Sequence, residues 1–135
     1  MPVCFIEGAS ALTASARKKL VEEASRSIHG AYPIPDTRVF IREYGREQVG
    51  QDGALGEPVR PVCFLEVPPG SPLEGRRKLV QELTRAIDAA YGSSDTLVFF
   101  HEYPLELVGL NGGLQSENPR TVAATRQLAE AANAR

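Results

Sequence analysis

Hydrophobic and polar positions follow the strand period and the helix period in turn, and the whole pattern occurs twice. The short apolar runs VCFIE at 3–7 and VCFLE at 62–66 are rich in strand-forming residues, which predicts strands buried on both faces. RVFIREY at 38–44 and LVFFHEY at 97–103 predict a second pair of strands. In each copy an apolar stripe at helical spacing lies between the first and the second strand, which predicts a helix. The turn signals PIPD and GSSD end these two helices. The stripes consist of Leu20, Val21, Ala24, Ile28 and Tyr32 in the first copy and of Leu79, Val80, Leu83, Ile87 and Tyr91 in the second.

The two copies of this pattern are related by a constant offset of 59 residues. Residues 2–53 laid over 61–112 give 24 identical pairs in 52 without a gap, which indicates a duplication. Because each copy reads as strand, helix, strand, its two strands are expected to be parallel with a right-handed crossover. The sequence predicts an α/β (α+β) fold, a single domain over 1–135, in which tandem β-α-β repeats form a four-stranded sheet with two helices on one face. Asn118-Pro119 predicts the start of a C-terminal helical extension over 118–135, which we expect to clasp a neighbouring chain or close a site.

One face of the predicted sheet lacks a covering helix. Alternation along the second strands turns Val39 and Ile41 toward the helices and leaves the other face open. An open face that carries Phe, Tyr and Leu beside Arg is typical of an interface or a pocket wall, so oligomerisation is expected. The residues of this open face are Arg38, Phe40, Arg42 and Tyr44 in the first copy and Leu97, Phe99, His101 and Tyr103 in the second.

Composition narrows the choice of partners. The 135 residues have 42% hydrophobic content and a formal net charge of −2, which offers no basic footprint for nucleic acid. No apolar run approaches the ~20 residues that span a bilayer, and the N-terminus lacks a signal-peptide layout, so we expect no membrane partner and a cytoplasmic location. Cys4 and Cys63 fall at matching places in apolar runs, which predicts small buried side chains rather than a disulfide or a metal site.

Both copies begin with proline, a residue that has no N–H to donate within a sheet. Removal of Met1 would turn Pro2 into a free secondary amine, whereas Pro61 stays in a peptide bond. An α-amine has a pKa of about 7.7–8.0, and burial or nearby guanidinium groups lower it, which gives a general base near neutral pH. Arg38 and Arg42 share one strand face and are candidates to grip a substrate carboxylate in one cavity and to stabilise an enolate. The alternatives are a strand-start proline preserved by duplication, and arginines that form intersubunit ion pairs.

On these residues the chain resembles the tautomerase superfamily. Positions 2–112 are similar to two fused copies of the short β-α-β subunit of 4-oxalocrotonate tautomerase, and VFFHEYPLELVG is similar to the final-strand segment of the cis-3-chloroacrylic acid dehalogenase group. The resemblance implies that Pro2 is the catalytic base, that Arg38 binds substrate and that His29 falls close to a substrate-carboxylate histidine. It also implies a homotrimer with no cofactor and no metal. Further candidates to line the pocket or the trimer interface are His101, Tyr103 and Phe99.

Departures from the dehalogenase pattern favour proton transfer over hydrolysis. The water-activating tyrosine of that group aligns with Phe99 here, and its partner glutamate aligns with Gly109. We therefore expect a tautomerase that moves a proton between carbon and oxygen in a small 2-keto or 2-hydroxy-dienoate carboxylic acid. The alternatives are a dehalogenase or hydratase of unsaturated or halogenated small acids, and a non-catalytic trimeric binding protein of the same fold.

Overall fold

The computed structural model describes residues 1–9, 12–56 and 60–133 of the chain. Two β-α-β units follow one another, each continued by a short hairpin, and a third helix comes last. The elements are β1 (Val3–Ala9), α1 (Ala14–Ala31), β2 (Arg38–Tyr44), β3 (Gly50–Gln51), β4 (Ala54–Leu55), β5 (Val62–Val67), α2 (Leu73–Tyr91), β6 (Leu97–Glu102), β7 (Gly109–Leu110), β8 (Gly113–Leu114) and α3 (Pro119–Asn133).

The four long strands form one mixed sheet in the order β2-β1-β5-β6. Each crossover helix makes its two strands parallel, whereas β1 and β5 run antiparallel at the centre. Phe5 lies opposite Phe64 in that central pair, so a pseudo-twofold axis relates the two repeats at this point. The predicted α+β fold, with a four-stranded sheet, two helices on one face and a C-terminal helix, is confirmed.

The core lies between the sheet and the helices α1 and α2. Cys4, Ile6, Cys63 and Leu65 enter it from the central strands and are fully buried. Burial of each Ile or Leu side chain stabilises the fold by about 1.5–3 kcal/mol. The Cys4 and Cys63 sulfurs are 3.4 Å apart as free thiols, and their hydrogen bond, together with burial, raises the pKa of the Cys4 thiol. Both cysteines are small buried side chains, as predicted.

Among the described residues no helix covers the opposite face of the sheet, which is partly exposed in the single chain. Phe40, Phe5, Phe64 and Phe99 lie in register across the four strands and form a row. The two outer pairs stack with ring centroids 5.4 Å and 5.6 Å apart, and the two edge rings are 49% and 45% exposed. The prediction that the first strands are buried on both faces is therefore wrong for a single chain, because only their helix-facing side chains are fully covered.

The two long helices are joined at their ends by a buried hydrogen bond. Thr13 is the N-cap of α1, and its hydroxyl accepts from the Ala16 N–H at 3.1 Å. The second helix starts after Pro72 with no side-chain cap. The hydroxyl of Ser71, just before it, lies 2.8 Å from the hydroxyl of Tyr32 at the end of α1. This contact fixes the start of the second helix against the end of the first.

Two hairpins, β3 with β4 and β7 with β8, lie outside the predicted elements. Each turns on a two-residue pair with positive φ, Asp52-Gly53 and Asn111-Gly112, which fits a type I′ turn. In the second hairpin the Gln115 N–H donates to the Val108 carbonyl at 2.8 Å. The turn therefore holds Val108 in place near the C-terminal end of β6.

The C-terminal helix α3 packs on its own chain. Asn118 caps it by accepting from the Arg120 N–H at 3.1 Å, and Leu128 lies in the common core. Positions 134–135 of the predicted extension lie outside the described residues. No helix within the described ranges is long and apolar enough to cross a membrane.

Candidate active site

Two cavities lie at equivalent places in the two repeats. The first, of about 220 Å³, is called the Pro2 pocket because both sequence neighbours of Pro2 line it. The second, of about 200 Å³, is called the Pro61 pocket because both neighbours of Pro61 line it. An offset of 59 residues maps most of one lining onto the other. The Pro2 pocket is lined by Met1, Val3, Glu66, Val67, Tyr103, Leu107 and Val108, and the Pro61 pocket by Arg60, Val62, Glu7, Gly8, Tyr44, Val49 and Phe64.

The N-terminal amine lies in a partly desolvated position at the Pro2 pocket. Met1 precedes Pro2, so the nitrogen of the fully buried Pro2 is an amide nitrogen, and the free amine belongs to Met1. That amine donates a hydrogen bond to the Pro35 carbonyl at 2.6 Å. Burial lowers its pKa from 8.0 to about 6, with nearby Asp36 opposing the shift and Arg38 adding to it. The pocket thus favours a neutral, proton-accepting amine at the N-terminus.

Arg38 begins β2 directly beside the N-terminus. Its backbone N–H donates to the Pro2 carbonyl at 3.0 Å. Its guanidinium group makes two contacts with the Asp36 carboxylate, Nη2–Oδ2 at 3.0 Å and Nε–Oδ1 at 3.3 Å. Because this side chain is 54% exposed, the ion pair contributes little stability. A ligand carboxylate at the N-terminus would therefore compete with Asp36 at small cost.

Arg42 contacts a residue of the other pocket, Glu7. It lies four residues further along β2, about 13 Å from Arg38 at the rise of a strand. Its Nη1 atom is 3.5 Å from Glu7 Oε1, and its guanidinium carbon lies 4.2 Å from the centroid of the Phe5 ring. Glu7 lines the Pro61 pocket, whereas Arg38 lies beside the N-terminus, so the two arginines contact different surroundings in a single chain. The expectation that both grip one substrate carboxylate stays a prediction.

His101 reaches the Pro2 pocket through Glu66. Its Nδ1 atom is 3.0 Å from Glu66 Oε1, and its ring centroid lies 5.9 Å from that of Phe64. Glu66 lines the pocket, and its second carboxylate oxygen, Oε2, is buried with no hydrogen-bond partner among the described residues. Imidazole and carboxylate together form a polar pair at one wall of an otherwise mostly apolar cavity.

The remaining predicted site residues, Tyr103, Phe99 and His29, lie in three different places. Tyr103 lines the Pro2 pocket and is 42% exposed. Phe99 lies in the phenylalanine row and stacks on Phe64 instead of lining either pocket. His29 is exposed on the last turn of α1 and lines neither pocket. The structure thus brings Pro2, Arg38, His101 and Tyr103 to one end of the sheet.

The predicted site did not include Glu66, Leu107 and Val108, which the second repeat contributes to the Pro2 pocket. A sequence signal existed for Glu66, since a glutamate recurs at the same place in both apolar first strands, Glu7 and Glu66. Strand order was the missing information, because only the antiparallel pairing of β1 with β5 places Glu66 opposite Val3.

Within residues 1–9, 12–56 and 60–133, no group of three or more His, Cys, Asp or Glu side chains is arranged to hold a metal ion. The polar groups at the Pro2 pocket are an amine, a carboxylate, an imidazole and a phenol, all of which can carry or bind protons.

Comparison with solved structures identifies the fold. No protein-family model and no curated protein sequence matches the chain. Among solved structures, a fused 4-OT wild type symmetric trimer has a TM-score of 0.79 at 20% identity, with 87% of this chain and 99% of that chain covered. The chain has the fused 4-OT fold. Pt0534 inactivated by 2-oxo-3-pentynoate has a TM-score of 0.75 at 21% identity, over 83% of this chain and 94% of that chain. Macrophage migration inhibitory factor from Toxoplasma gondii has a TM-score of 0.66 at 16% identity, with 83% of this chain and 98% of that chain covered.

These likenesses to the fused 4-OT fold confirm the architecture that the sequence resemblance implied. At identities of 16–21% they establish the fold alone. The chemistry of the pocket has to be argued from its own residues.

Proposed function

We propose that this chain is a tautomerase that acts after Met1 is removed, with the amine of Pro2 as general base. The substrate is a small 2-keto or 2-hydroxy-dienoate carboxylic acid, and the reaction moves a proton between carbon and oxygen. The observation that carries the proposal is the position of the N-terminus at an apolar pocket, where burial lowers the pKa of the Met1 amine to about 6. Once Met1 is removed, burial at the same place is expected to lower the pKa of the Pro2 amine as well, which favours an unprotonated base at neutral pH.

The residues around the N-terminus fit the two ends of such a substrate. Arg38 supplies a guanidinium group whose present partner, Asp36, is held by an exposed and weak ion pair. Charge-assisted hydrogen bonds from that group to a carboxylate are worth roughly 1.5–3 kcal/mol. Val3, Val67 and Val108 provide apolar walls for a short carbon chain. The neighbour Pt0534 was inactivated by 2-oxo-3-pentynoate, a small 2-keto acid, which supports this ligand class.

The decisive experiment pairs the two prolines. Pro2→Ala is expected to lower turnover of an enol-pyruvate-type acid by at least about tenfold, within the contribution of a general base. Pro61→Ala is the matched control and should leave turnover unchanged, because that nitrogen lies in a peptide bond. Intact mass should first establish that the purified protein weighs one methionine less than the full sequence. Equal losses from the two substitutions would sink the proposal, and so would a fully active protein that retains Met1.

We further propose that the chain assembles as a homotrimer through the open sheet face. Fused 4-OT structures include symmetric and asymmetric trimers, and the edge rings of this chain's phenylalanine row, Phe40 and Phe99, are 49% and 45% exposed. Phe40→Glu and Phe99→Glu should shift the mass measured by light scattering from trimer toward monomer. Val21→Glu, at a 36% exposed position on the outer helix layer, is the control that should leave the trimer intact. A wild-type monomer at micromolar concentration would refute the assembly.

A further inference from the structure

The Glu66 carboxylate has one oxygen with a hydrogen-bond partner and one buried oxygen without a partner among the described residues. Oε1 is 3.0 Å from His101 Nδ1, which fixes the carboxylate against β6. Oε2 is buried and has no partner among the described residues, although the side chain lines the Pro2 pocket. A buried carboxylate oxygen without a hydrogen-bond donor is costly, so this position favours a ligand that donates one.

The other repeat indicates which donor fits. At the equivalent position Glu7 accepts a hydrogen bond from the phenolic hydroxyl of Tyr44, and this contact raises the pKa of Tyr44. Glu7 is also paired with Arg42. The counterpart of Tyr44 is Tyr103, which lines the Pro2 pocket, but no hydrogen bond joins it to Glu66 within the described part of the chain. The protein therefore supplies one glutamate with a hydroxyl of its own, whereas the other, at the wall of a cavity, keeps one buried oxygen without a partner among the described residues.

We propose that Glu66 selects hydroxylated ligands: its Oε2 accepts the hydroxyl hydrogen of a small hydroxy-carboxylic acid bound in the Pro2 pocket, and His101 positions the carboxylate. This names the ligand class of the proposed tautomerase site and rests on that site being the one in use. The apolar walls hold the carbon body, and the negative charge of Glu66 disfavours a second carboxylate at the same place. An enol or phenol is favoured over a ketone there, because a ketone oxygen has no hydrogen to donate.

Equilibrium binding tests the inference without requiring turnover. The probes are 4-hydroxybenzoate and benzoate, which differ by one phenolic hydroxyl, titrated calorimetrically into processed protein whose mass shows Pro2 at the N-terminus. The wild type should bind the hydroxylated acid about tenfold or more tightly, the ratio expected for one charge-assisted hydrogen bond. Glu66→Leu should abolish this preference, and Glu66→Gln, of nearly the same shape, should reduce it. His101→Phe should weaken the preference for the hydroxylated acid, while the affinity for benzoate stays constant.

Glu7→Leu is the matched control, since it removes the equivalent glutamate from the Pro61 pocket and should leave the preference intact. The inference is overturned if wild-type protein binds the two acids equally or binds neither, or if Glu66→Gln retains the full preference. If the protein has no tautomerase activity but its preference for the hydroxylated acid still depends on Glu66, the proposed function is refuted and the Glu66 site is supported.

Discussion

The N-terminal amine offers a direct physical test of the Pro2 pocket, because its titration can be followed whether or not the protein turns over a substrate. In the chain that carries Met1, the amine should titrate with a pKa of about 6 instead of 8.0, since folding removes it from water. At pH 7 an amine with a pKa of 6 is about 90% neutral, whereas one with a pKa of 8 is about 10% neutral. The pocket therefore supplies roughly tenfold more free base at neutral pH.

Two substitutions alter this pKa in opposite directions. Arg38→Ala removes a cation that lowers the pKa, so the pKa should rise, and Asp36→Asn removes an anion that raises it, so the pKa should fall. Met1 is the chain's only methionine, so 13C-labelled methionine gives a single set of signals to follow by NMR against pH. A wild-type pKa of 7.7–8.0, or shifts of the same sign in both variants, would refute the reasoning.

The same pKa predicts how stability depends on pH. Between pH 6 and 8 the unfolded chain binds a proton at this amine that the folded chain does not, so the free energy of unfolding should rise with pH across that window. The gain is lost as pH falls through 6, and it is small because the amine is only partly buried. In the processed chain, burial near the same groups predicts that kcat/KM rises with pH to a plateau as the Pro2 amine loses its proton.

Three further predictions concern packing, and urea denaturation at one fixed protein concentration measures them all. Gly8→Ala should destabilise the fold by about 1–3 kcal/mol, because a Cβ atom at position 8 would lie 2.6 Å from Tyr91 Cε1. Gly75→Ala in α2 is the control: a Cβ atom there meets nothing within 4 Å, so the substitution should be neutral or stabilising. Equal effects of the two substitutions would contradict this. Tyr32→Phe should cost about 1–3 kcal/mol because it leaves the buried hydroxyl of Ser71 without its partner. Tyr91→Phe should cost less than Tyr32→Phe, since the buried Tyr91 hydroxyl has no hydrogen-bond partner among the described residues, and a larger loss would refute that assignment.

Much of the fold could be predicted because two independent signals agreed. Apolar runs and helical stripes gave strand, helix and strand, and the offset of 59 residues repeated the same order. The hairpins were missed because their strands are two residues long, too short for any hydrophobic period. The pairs Asp52-Gly53 and Asn111-Gly112 were the available signal, since both are favoured in type I′ turns.

The candidate site was harder to predict because it combines residues from both repeats. Alternation predicts which face a side chain occupies, so it places Arg38 and Arg42 on one face, but it does not show how far along the strand a ligand would extend. The strand order decides the rest. With β5 next to β1, Glu66 lies opposite Val3, and Tyr103 follows at the end of β6. Sequence alone gave no means of choosing that order.

The two repeats differ in the contacts of their equivalent glutamates. Tyr44 and Tyr103, like Glu7 and Glu66, are identical across the offset, yet only the first tyrosine bonds its glutamate within the described structure. The partner of each glutamate on the adjacent edge strand has changed from Arg42 to His101. At the Pro61 pocket, where no amine can exist, arginine and tyrosine both contact the carboxylate. At the Pro2 pocket the imidazole contacts it, and the second oxygen has no hydrogen-bond partner among the described residues. Duplication supplied two equivalent cavities, and a free N-terminus can serve only one of them.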